Sequence, residues 1–86
     1  MSLLNGTELC IRPISVAAAD LVFVRHILEA YEGLGLVVGN RGGNVLLVST
    51  NDMAHELELF IGEMMREVEL STEWTAQHQE VMDAIQ

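Results

Sequence analysis

Few residues in this 86-residue chain have the type and spacing that chemistry needs. His55-Glu56-Leu57-Glu58-Leu59 begins like a helix that holds zinc through two histidines four apart, but position 59 is Leu. His26, His55 and His78 fall on three separate predicted helices with no Cys or second His at ligand spacing. No metal site is assigned, and all three are expected at the surface. Cys10 is the single cysteine, and no His or Asn stands at a spacing that would pair with it. It reads as a passive thiol buried where two chains meet. The pairs Glu56/Glu63 and Glu63/Glu67 share one helix face, but the solvated one, so acid–base work is not expected of them. With no nucleophile–base pair and no metal constellation, the expectation is a chain that is not an enzyme and uses no cofactor.

Two stretches have the chemistry of anion recognition. Arg12-Pro13 ends a predicted strand just before a helix whose free N–H groups, with the Ser15 hydroxyl, would complete a pocket for an anion. The competing reading pairs Arg12 with an acid such as Glu8, in the manner of ordinary surface ion pairs. Gly39-Asn40-Arg41-Gly42-Gly43-Asn44 offers consecutive backbone N–H groups and a guanidinium. It joins two strands rather than opening a helix, so it matches no phosphate-binding fingerprint and reads first as a hairpin turn. Arg12, Pro13 and Ser15 are the candidate ligand-binding residues, with Arg41 supplied by a neighbouring chain.

Composition limits the partners. The net charge of −9 is uneven: residues 1–50 balance to −1 and residues 51–86 to −8. An acidic domain repels phosphate backbones and anionic lipid, so neither nucleic acid nor membrane is an expected partner. No apolar run is long enough to span a bilayer, no secretory leader is visible, and one cysteine suits a reducing compartment. A cytoplasmic location is expected.

The elements that must position these residues follow from hydropathy. Residues 1–6 read as a flexible N-terminus. Leu9 and Ile11 alternate with Glu8, Cys10 and Arg12 in a first strand that ends at Pro13 or runs along a sheet edge there. Ser15 then caps a helix over Val16–Tyr31, with Leu21, Phe23, Val24, Ile27, Leu28 and Tyr31 on its apolar side. Leu36-Val37-Val38 and Val45-Leu46-Leu47-Val48 flank the Gly-rich turn as a hairpin. Thr50, Asn51 or Asp52 caps a second helix with Met53, Leu57, Phe60, Ile61, Met64, Met65 and Val68 inward, while Leu59 and Leu70 interrupt its acidic side. Ser71-Thr72 caps a short last helix near Glu73–Ile85, with Trp74, Val81, Met82 and Ile85 on its sparse stripe.

The order β-α-β-β-α predicts an α+β domain over residues 7–70: a ferredoxin-like split βαβ lacking its last strand. Its three-stranded sheet has order 1-3-2 with two helices on one face, and residues 71–86 add a C-terminal helix. The other sheet face would be apolar and one edge unpaired, which points to a homodimer or higher oligomer. The alternative cover for that face is the last helix. Cys10, Val37, Leu46, Val48 and Trp74 are the candidate interface residues.

This layout, with the run Ile27-Leu28-Glu29-Ala30-Tyr31-Glu32-Gly33-Leu34-Gly35 joining first helix to second strand, resembles a small uncharacterised bacterial family known only as a domain of unknown function. It is similar more loosely to ACT-type ferredoxin-like regulatory domains. That second resemblance implies amino acids or other small effectors bound at subunit interfaces, by analogy of fold alone. The expected function is a non-enzymatic module that binds a small anionic ligand or senses one as a homo-oligomer. The alternative is an interaction or assembly module whose acidic helices dock a basic protein.

Overall fold

The computed structural model describes residues 8–39 and 42–85; the expected flexible N-terminus and Arg41 lie outside them. Eight residues of alternating chemistry form β1 (Leu9–Val16). After it come α1 (Ala18–Ala30), β2 (Leu36–Val38), β3 (Asn44–Thr50), a 3-10 turn at Asn51–Met53, α2 (Ala54–Glu67), β4 (Leu70–Ser71) and α3 (Ala76–Ile85). The strands make one antiparallel sheet in the order β2-β3-β1-β4. The expected three-stranded 1-3-2 sheet is thereby corrected. β3 does lie between β1 and β2, but Leu70–Ser71 adds a fourth strand outside β1, opposite Val16 and Ser15. Two residues carry no alternation, so hydropathy could not reveal it.

β1 and β3 pair from Leu9↔Thr50 to Ser15↔Asn44. The Val16 amide donates to the Gly43 carbonyl at 3.1 Å. Successive N–H groups point to opposite sides of a strand, so Pro13, three residues earlier, turns its donorless nitrogen away from β3. It faces the stretch of β1 that the short β4 leaves unpaired, and no ladder bond is lost. Gly43 is obligatory here: a Cβ on it would lie 1.5 Å from the Val16 carbonyl oxygen.

Strand alternation sorts the sheet into two faces. Ile14, Val45 and Leu47 meet Leu21, Val24 and Leu28 of α1 and Leu57, Phe60, Ile61 and Met64 of α2 in one core. The helical residues recur every three or four positions, as an amphipathic stripe requires. Both helices therefore cover one face. Cys10 and Val37 are half-buried against this same core, so they face the helices.

Three expected helix caps are corrected. Ser15 is still in β1, where its hydroxyl donates to Asn44 Oδ1 at 2.8 Å, and α1 starts after Ala17 with no side-chain cap. None of Thr50, Asn51 and Asp52 caps α2. Asn51 is drawn instead to Glu8, donating through its backbone N–H to the carbonyl and through Nδ2 to Oε2, each at 3.2 Å. For α3 the cap is Thr75, not Ser71-Thr72: the His78 N–H reaches Thr75 Oγ1 at 3.4 Å. Ser71 accepts the Glu73 amide in a turn before it.

Leu46 and Val48 are buried although they lie outside the helix-side core. α3 is packed on β3 and covers their face at the hairpin end. A Cβ on Gly39, whose φ is +109°, would come within 3.2 Å of Val81 on α3. Of the two covers open to that face, the chain's own last helix occupies this part. The anchor is His78, which is 0% exposed and corrects the expectation of a surface histidine. Its Nε2 lies 2.8 Å from the Ile14 carbonyl oxygen and its Nδ1 accepts the Thr75 amide at 3.0 Å. A carbonyl can only accept, so the proton sits on Nε2.

Candidate functional site

Arg12 does not line an open anion pocket. Its Nε lies 2.5 Å from Glu58 Oε1 on α2, with both side chains about half exposed. It shares the helix-side face with Cys10 and Ile14, whereas Pro13 and Ser15 point to the opposite face. The chain thus separates Arg12 from Ser15 by the thickness of the sheet. The hollow beside the start of α1 is lined by Ser15, Ala17, Asp20, Glu69 and Ser71, a lining with two carboxylates and no cation. Trp74 is partly exposed ahead of α3, with its ring centroid 5.9 Å from that of His78 and its Nε1 donating to Gln79 Oε1 at 3.3 Å. Among the described residues no three His, Cys, Asp or Glu side chains gather as a metal site. None of the helices described is long and apolar enough to cross a membrane.

The structure instead builds a groove where the end of α1 meets the start of α2. α1 stops at Ala30, and the chain turns with the Leu34 amide donating to the Tyr31 carbonyl at 3.1 Å. This turn brings Tyr31 edge-on to Phe60, with centroids 5.9 Å apart and planes at 79°. Leu34 and Phe60 form a buried floor, and Met53 and Leu59 form a wall on the α2 side. Leu59 is 55% exposed, so much of that wall is open to water.

Three carboxylates, Glu32, Glu56 and Glu63, border the same groove. Glu56, Phe60 and Glu63 follow one another at helical spacing, so a single ridge of α2 presents acid, ring and acid in turn. The Tyr31 hydroxyl donates to Glu63 Oε2 at 3.4 Å. Among the described residues the one ion pair is Arg12–Glu58, on another part of α2, so no cation among them neutralises this rim. No buried side-chain polar atom there lacks a hydrogen-bond partner, leaving apolar contact and the charged rim as what the groove offers a ligand.

Sequence reasoning placed each of these residues without joining them. Tyr31 was expected within the apolar side of the first helix, Glu56 and Glu63 on a solvated face, and Leu59 as an exception among acids. Leu59 was the signal: an exposed leucine amid glutamates belongs to no core stripe. What hydropathy lacked was the turn at residues 31–34 that brings α1's end against that ridge.

A family model described as "Domain of unknown function (DUF4911)" matches residues 14–68, from near the end of β1 to the residue after α2, short of β4 and α3. No curated protein and no solved structure matches the chain.

Proposed function

The chain belongs to the DUF4911 family, and from that premise we propose that it is a non-catalytic interaction module whose acidic α1–α2 side docks a basic protein segment. The observation that supports this is the groove of Tyr31, Leu34, Leu59 and Phe60 with Glu32, Glu56 and Glu63 around it and no cation of the described chain among its lining residues. An anionic small molecule would meet the wrong sign of charge there. At the Arg12 end it would have to displace Glu58. A ferredoxin-like split βαβ assignment suits the four-stranded order, with β4 a reduced form of the last strand.

The reading is tested by titrating the full chain with two fluorescent amphipathic 16-residue helical peptides of equal apolar content, one bearing Lys and the other Glu. Binding of the Lys peptide, weakening steeply with salt, is the expected result. Binding of both peptides alike, or of neither, would overturn the proposal.

A second reading, self-association, is favoured by the part of the sheet face that α3 leaves uncovered. Leu36 is 64% exposed there, beside a shallow hollow lined by Leu9, Val48 and Thr50. If that end joins two copies, Leu36→Asp halves the mass measured by light scattering.

A further inference from the structure

The apolar groove between α1 and α2 is smaller and more open than the pockets that enclose drug-sized ligands. Its volume is about 230 Å³. Ligand pockets for small molecules run to roughly 300–1,000 Å³ and enclose most of their ligand. This groove is open along one side, because Tyr31 and Leu59 are both about half exposed.

Its chemistry is graded along its depth. The floor is Leu34 and Phe60, both buried; the walls are Tyr31, Met53 and Leu59; the carboxylates Glu32, Glu56 and Glu63 stand only at the exposed rim. A purely apolar side chain would fill the floor and leave the rim uncompensated. A bare cation would meet the rim and leave the floor wet. A long side chain with an apolar stem and a cationic head satisfies both, since such residues bury their methylenes while holding the charge in water. Charge complementarity decides the sign, because this half of the chain carries −8 and no described arginine reaches the groove.

We infer that this groove is the anchor point for a single arginine or lysine side chain of a partner protein. The inference rests on the docking function proposed above and adds the identity of its central contact. The aliphatic stem lies along Leu59 and Tyr31, and the head is held among Glu56, Glu63 and Glu32. Either head can also stack on the exposed part of the Tyr31 ring.

The test uses the full chain labelled with ¹⁵N and three small probes: n-butylguanidinium, guanidinium and n-butanol. Saturable amide shifts at Tyr31, Leu34, Phe60 and Glu63 with butylguanidinium are expected, with a dissociation constant on the order of 10 mM. Guanidinium and butanol alone should bind at least about fivefold more weakly, each lacking one of the two contacts. Glu63→Gln and Leu59→Ser, both at exposed positions, should weaken butylguanidinium severalfold. Glu80→Gln, which removes the same charge from α3, should not.

Equal effects of Glu63→Gln and Glu80→Gln would overturn the inference, as would shifts by guanidinium alone that match those of butylguanidinium. If these small probes fail while the Lys peptide still binds, the anchor is wrong and the docking face stands. If the peptide fails too, both fall.

Discussion

At the scale of single residues, the firmest demands come from backbone approach and from buried hydrogen bonds. Gly43→Ala would drive a methyl into the Val16 carbonyl in the middle of the β1–β3 ladder. The expected loss is about 3 kcal/mol or more, read as a lower urea midpoint at unchanged slope. Arg12→Ala should cost less than about 1 kcal/mol, because its pair with Glu58 is half exposed and screened by water. A larger loss would mean that the pair organises α2 more than its exposure indicates.

His78 carries more than either its helix or its sequence neighbours suggest. It joins the N-cap of α3 to the β1 backbone through both ring nitrogens, with Thr75 on one side and Ile14 on the other. His78→Ala removes that link and leaves a cavity, at an expected cost of about 2–4 kcal/mol. Trp74 lies beside it, so its fluorescence should then change at lower urea than the far-ultraviolet dichroism of the whole chain. Coincident transitions would show that α3 holds to the sheet without the histidine.

The elements differ in how far the sequence disclosed them. β3 was legible because Val45–Val48 is an apolar, β-branched run beside a Gly-rich turn, and the two long helices because Leu21–Leu28 and Leu57–Met64 repeat at the helical period. Helix starts were not, since Ser15 and Asn51 have the side chains of caps but spend them on Asn44 and Glu8. Such competition depends on partners 29 and 43 residues away in sequence, which local patterns cannot report. His78 was misplaced for the same reason: an isolated polar residue on a short helix gives no sign of the carbonyl waiting 64 positions earlier.

α3 itself is ten residues long, too short to persist alone in water, and it lies outside the segment that the family model matches. It is stable because it has the hairpin end of the β3 face, around Leu46, to cover. A chain ended after Glu73 should therefore expose that face, bind a hydrophobic dye and self-associate. A dye-silent monomer of unchanged sheet content would show that the face tolerates water.

For the whole molecule, the charge asymmetry and the groove belong to one arrangement. Most of the carboxylates follow β3 in sequence, and α2 carries Glu56, Glu58, Glu63 and Glu67 on the side away from the core. The candidate ligand residues Arg12, Pro13 and Ser15 were adjacent in sequence but are divided by the sheet, because neighbouring strand residues point to opposite faces. Tyr31 was distant in sequence from Leu59 and Glu63 and is brought to them by one turn. The groove was therefore the part least legible beforehand, although most of its residues had been assigned a helix and a side.

The central claim is that a basic partner docks at this one place on the surface. Its most direct measurement is a map of ¹⁵N amide shifts on the full chain during titration with the Lys-bearing peptide. The account predicts saturable changes at residues 31–34 and 53–63, with α3 and the β2–β3 hairpin unmoved. Changes spread evenly over all acidic positions, or centred on α3 and the sheet face, would contradict it.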